Sequence, residues 1–98
     1  MSNPRAHVGI LSFEMHIPDS QSLKSKRQVL KSLKDRIHAR FNASVSEIGE
    51  LDKWQRTLFG VCMIGNDKRR LDEKLQGILS LVESVRDIQL LHHQIDFV

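Results

Sequence analysis

A single cysteine, two prolines, five glycines and no tyrosine appear among these 98 residues. Each scarcity removes a class of explanation. The lone thiol, Cys62, has no internal partner, and its place in the apolar run Leu58 to Ile64 predicts an inert core residue. There is no Pro/Gly/Ser-rich linker, no repeat of 20 to 50 residues and no low-complexity tract, so residues 1–98 are expected to form a single domain. No segment approaches the roughly 18 consecutive apolar residues of a membrane span, and membrane insertion is not expected. The opening Met1-Ser2-Asn3-Pro4-Arg5 runs straight into a strand-like pattern without the organisation of an export signal, so cytoplasmic residence is the expectation.

Charge is present in quantity and unevenly placed. Between Leu23 and Phe41 stand seven Lys or Arg residues (Lys24, Lys26, Arg27, Lys31, Lys34, Arg36 and Arg40) against one acid, Asp35. The formal charge of +3 for the whole chain therefore conceals about +6 on one segment and about −3 elsewhere. A small domain polarised in this way is suited to a polyanion, and RNA is the first candidate.

Hydrophobic periodicity supplies the architecture. His7 to Ile17 alternates, with Leu11, Phe13 and Met15 on one side and Ser12, Glu14 and His16 on the other, which predicts a half-buried strand. Ser22 is a suitable N-cap. Leu23, Leu30, Leu33, Ile37 and Phe41 then fall within an arc of roughly 80° and predict an amphipathic helix that Asn42 can close. Ala43 to Glu50 reads as a second strand and Arg56 to Gly65 as a third, apolar throughout its middle. Asn66 or Asp67 can cap a second helix carrying Leu71, Leu75, Ile78, Leu79 and Val82 as one stripe. Ile88 to Val98 alternates again, with Leu91, Ile95 and Phe97 opposite His92, Gln94 and Asp96. The order βαββαβ, joined by right-handed crossovers, predicts an α+β, ferredoxin-like four-stranded antiparallel sheet with both helices on one face and the first and third strands central.

The candidate functional residues follow from this frame. Lys24, Arg27, Lys31, Lys34 and His38 recur at three and four residue intervals and form one cationic stripe suited to phosphates along a nucleic-acid backbone. Lys26 falls inside the apolar arc, where charge is costly. It is expected to snorkel past the end of the core or, if paired, to meet Glu14, Glu47 or Asp96. Trp54, in the hairpin with Arg56, either covers the open end of the core or stacks on a base, and Arg40 adds a further cation. Leu58, Cys62 and Ile64 alternate with Phe59, Val61 and Met63, so one apolar set must leave the core; this predicts a homodimer contact.

Chemistry is thinly signalled. Ser12, Glu14, His16 and His92 share a polar sheet face without implying a catalytic geometry, and His92 and His93 point to opposite faces and cannot share a metal. The segment Arg56 to Met63 lacks the spaced aromatics of an RRM. The loop His16 to Ser22 lacks the glycines with which acylphosphatases of this shape cradle an anion. No cofactor is implied. The residues support a non-enzymatic RNA-binding or ribosome-associated module whose contacts are Lys24, Arg27, Lys31, Lys34, Arg40, Trp54 and Arg56, the alternative being a structural or regulatory homodimer that binds an acidic protein.

Several short motifs stand in a distinctive order: His16-Ile17-Pro18, Ser22-Leu23-Lys24-Ser25-Lys26-Arg27, Val29-Leu30-Lys31-Ser32-Leu33, Arg40-Phe41-Asn42-Ala43-Ser44-Val45 and Trp54-Gln55-Arg56. Together they resemble the bacterial YlxP-like family, also called DUF503. Departures are Ser25, where that family usually has Glu, and a looser match after Asn66. The resemblance implies a ferredoxin-like fold and no stated activity. Members are often encoded beside transcription-elongation, translation-initiation and ribosome-maturation factors, an association that favours RNA or ribosome biology.

Overall fold

Apolar alternation in four segments and a 3.6-residue apolar period in two produce six elements, seen in a computed structural model that describes residues 5–98. They are β1 (His7–His16), α1 (Leu23–Arg40), β2 (Ser44–Gly49), β3 (Arg56–Gly65), α2 (Lys68–Glu83) and β4 (Gln89–Phe97). The sheet is antiparallel in the order β2-β3-β1-β4, so β1 and β3 are central. Both helices cover one face, giving the ferredoxin-like α+β arrangement.

The buried side is built by alternate residues of the central strands, Leu11, Phe13 and Met15 against Phe59, Val61 and Met63. Phe13 and Phe59, direct partners in the register, meet edge to face with centroids 5.7 Å apart. Leu30, Leu33 and Ile37 of α1 and Leu71, Leu75, Ile78, Leu79 and Val82 of α2 close over them. Asp67 is the N-cap of α2, accepting from the amides of Arg69 and Arg70. No helix among the described residues is long and apolar enough to cross a membrane.

Gly9 is required by close packing. A Cβ there would lie 2.8 Å from Leu75 Cδ1 and 3.3 Å from the Phe97 ring, and Leu75 is itself fully buried. Gly9→Ala is therefore expected to destabilise the fold by about 1–3 kcal/mol through overpacking, read as a lower urea midpoint at unchanged slope. An unchanged midpoint would mean that α2 can yield freely at this contact.

Two expectations are overturned. Cys62 is exposed and not a core residue, because β3 alternates and its odd-numbered neighbours Val61 and Met63 take the buried side. Leu91 is also exposed: the β1–β4 register shifts between Glu14 and Met15, and beyond the bulge Leu90 replaces it as the partner of Met15.

Candidate nucleic-acid interface

The α1 stripe begins in the first turn of the helix. Ser22 caps it, its hydroxyl accepting from the Ser25 amide at 3.0 Å. No acid stands in the first turn, and Lys24 occupies a position where the helix dipole disfavours a cation. Lys24, Arg27, Lys31 and His38 are exposed, while Lys34 is half-buried with its Nζ 6.0 Å from the Phe59 ring centroid. Lys31 donates to Asp35 at 3.0 Å across one turn, a fully solvated pair of small energetic weight. The predicted contacts are not all neighbours. Arg40 lies about 24 Å along the helix axis from Lys24. Arg56 projects from the other sheet face, where it donates to Glu14 Oε1 at 2.8 Å.

Lys26 does not snorkel. Its side chain is 1% exposed, and the ammonium donates to the carbonyls of Glu50 and Lys53 and pairs with Glu47 Oε2, each at 2.7 Å. Three donors meet three acceptors, and the second carboxylate bond comes from Thr57 Oγ1, also at 2.7 Å. Among the described residues no buried side-chain nitrogen or oxygen lacks a partner. The charge is tolerated inside the apolar arc because the β2–β3 hairpin folds back over the first turns of α1 and supplies a complete hydrogen-bond shell. Glu47 was among the carboxylates named from sequence; the two loop carbonyls were beyond its reach, since helical periodicity carries no information about a turn distant in the chain.

The hairpin is fixed from its other side too. Gln55 Nε2 donates to the carbonyls of Pro18 and Ser20, and the Ile17 amide donates to the Gln55 carbonyl at 2.8 Å. Glu50 takes a left-handed backbone, φ 60°, a conformation that costs a non-glycine residue about 1 kcal/mol or more and that aims its carbonyl at Lys26. Between these anchors Trp54 is 54% exposed and does not cover the core. Glu50, Lys53, Trp54, Gln55 and Arg56 line an open depression of about 510 Å³ beside it.

The uncovered sheet face divides into two halves. Register places Ile64, Val8 and Val98 in one row, and Cys62, Ile10 and Asp96 in the next. Ile48 lies across Gly60, where a Cβ would meet it at 3.2 Å. Ile64 and Val98 are 70% and 77% exposed, so this half is an apolar patch. The other half is polar: Glu14 and Arg56 form their ion pair, His92 stands opposite Glu14, and His16 Nδ1 lies 3.0 Å from Gln89 Oε1. No group of three or more potential metal ligands forms among the described residues.

Comparison with known proteins agrees with the geometry. Solved structures include a C-terminal segment of the alpha subunit of aIF2 from Pyrococcus abyssi, to which this chain is similar with a TM-score of 0.57 and 14% identity. The match covers 93% of this chain and 52% of that one, so the chain spans about half of that structure, and the likeness is one of fold. The Uncharacterized protein YlxP of Bacillus subtilis (strain 168) is 39% identical over 82 residues, covering 84% of this chain and 89% of its relative. Residues 8–95 match the family described as Protein of unknown function (DUF503). With nearly the whole fold inside that match, the chain belongs to the DUF503 family.

Proposed function

We propose that this protein is a non-enzymatic RNA-binding or ribosome-associated module of the cytoplasm that presents the cationic stripe of α1 to phosphates. The observation that carries the reading is the exposed run Lys24, Arg27 and Lys31, continued by half-buried Lys34, on a helix with one acid and none in its first turn. A helix shaped for solubility alone would intersperse Glu and place acids at its N-terminus. The test is binding of the purified protein to structured RNA and to ribosomal subunits across a salt series, with a Lys31→Glu/Lys34→Glu variant as comparison. Salt-dependent binding lost in the variant supports the assignment; no binding at low salt moves it to an acidic protein partner.

The apolar half of the open sheet supports a second element of the reading, a homodimer. Among the described residues that the register places beside Ile10, Cys62 and Ile64, Asp96 is the one charged side chain, so two copies related by a two-fold axis would meet there over a mainly apolar centre. Both α1 helices would then face outward. Ile64→Glu is expected to convert a sedimenting dimer to monomer with little loss of stability, since Ile64 is already 70% exposed. A variant that sediments as an unchanged dimer would remove this face as the contact.

A further inference from the structure

We infer that the β2–β3 hairpin is a stacking site for one unpaired RNA nucleotide, with the Trp54 indole as the platform. The inference rests on the RNA reading of α1 and specifies the form of RNA it takes.

Three observations carry it. First, Trp54 is displayed outside the core: it is 54% exposed and belongs neither to the core nor to the half-buried residues packed against it. Second, the loop that displays it is held on both sides. Lys26 binds the carbonyls of Glu50 and Lys53, while Gln55 binds those of Pro18 and Ser20, and none of these bonds uses the indole. A rigid mount lowers the entropy lost when a ligand orders the loop, and the left-handed Glu50 shows that backbone strain is accepted to make it. Third, the depression beside the ring is lined by groups with the right chemistry for a nucleotide. Lys53 is a donor for phosphate, as are the guanidinium N–H groups of Arg56 that its bond to Glu14 leaves unused, and the Glu50 carboxylate is an acceptor for an exocyclic amine.

The hairpin is also joined to the helix that carries the stripe. Lys26 spans from α1 to the loop, and the same turns of α1 present Lys24 and Arg27 to solvent. An RNA strand held on α1 through its phosphates leaves its bases free of pairing where it is single-stranded, and such a base can lie on the ring. A continuous duplex keeps its bases stacked within the helix and leaves the indole unused.

Trp54 is the sole tryptophan, so its fluorescence reports the site directly. The protein is titrated with an unstructured single-stranded RNA of mixed sequence and with a fully paired RNA duplex. The single strand is expected to quench the emission on binding and the duplex to leave it unchanged. Trp54→Ala should weaken single-strand affinity by about ten- to a hundredfold, with Trp54→Phe retaining most of it. Circular dichroism confirms that the variants keep the fold, as exposure of the ring predicts. Single-strand binding with unaltered emission and full affinity in Trp54→Ala would overturn the stacking site while leaving RNA binding by α1 intact. Absence of binding to either RNA would overturn the RNA reading and this site with it.

Discussion

Lys26→Ala is expected to destabilise the protein more than removal of any other charged side chain among the described residues, by about 3–5 kcal/mol. The substitution leaves Glu47, 17% exposed, without its cation, and it strips the Lys53 carbonyl and one bond of the Glu50 carbonyl of their donor. It also empties the volume of a long side chain beneath the hairpin. For a chain of 98 residues the melting midpoint should fall on the order of 15–30 °C. Lys26→Met keeps most of the volume and isolates the electrostatic part. Adding Glu47→Gln to Lys26→Met should restore some of the loss, because the uncompensated carboxylate is gone while Thr57 keeps an amide acceptor. Calorimetry and urea unfolding give the numbers, and Trp54 emission reports whether the loop moves before the core melts. A Lys26→Ala protein within about 1 kcal/mol of the parent would mean that the hairpin is held by Gln55 and the strand ladder alone.

Reversing Lys31 and Lys34 together should reduce affinity for structured RNA by two orders of magnitude or more at low salt and flatten the salt dependence. If each lysine neutralises one phosphate, the slope of log affinity against log salt should shrink by about 1.8 for a duplex target and about 1.4 for a single strand. Stability is separable from this effect at Lys31, whose pair with Asp35 is solvent-exposed and worth well under 1 kcal/mol. Lys34 is half-buried against Phe59, so Lys34→Gln beside Lys34→Glu distinguishes lost charge from lost packing. Parental affinity with a parental slope would remove α1 from the interface.

The two variants probe different parts of one segment. Lys31 and Lys34 answer to what binds outside the protein, whereas Lys26 on the same helix answers to a loop of the protein itself. Cations five and eight residues apart thus differ wholly in role, although each is a basic residue in an amphipathic pattern. Their placement around the helix axis separates them: Lys26 alone shares the arc of Leu30 and Ile37.

How much of this was legible before the structure follows from the range of each signal. Period-two and period-3.6 patterns are local, and they located β3 at Arg56–Gly65 and α1 from Leu23 without tertiary information. The central positions of β1 and β3 came from connection rules that depend only on element order. Alternation failed at Leu91 because the bulge opposite Glu14 and Met15 is a property of a strand pair, not of either strand. Cys62 was misplaced because an apolar run on a central strand does not say which of its two sides the helices cover. That choice is made by α1 and α2 packing on Phe59, Val61 and Met63.

The candidate interface divides along the same line. Composition and spacing determined the cationic stripe, since the charge and the angular position of Lys24, Arg27, Lys31 and Lys34 are set by residue type and helical period alone. Tertiary structure decided the rest: that Lys26 is an internal anchor, that Arg56 lies on the other sheet face from the stripe, and that Trp54 is exposed on a fixed loop. The first of those outcomes depends on two carbonyls and a carboxylate brought to Lys26 from 21 to 27 positions along the chain. A buried charge is stable only where such partners converge, and convergence is a property of the folded chain.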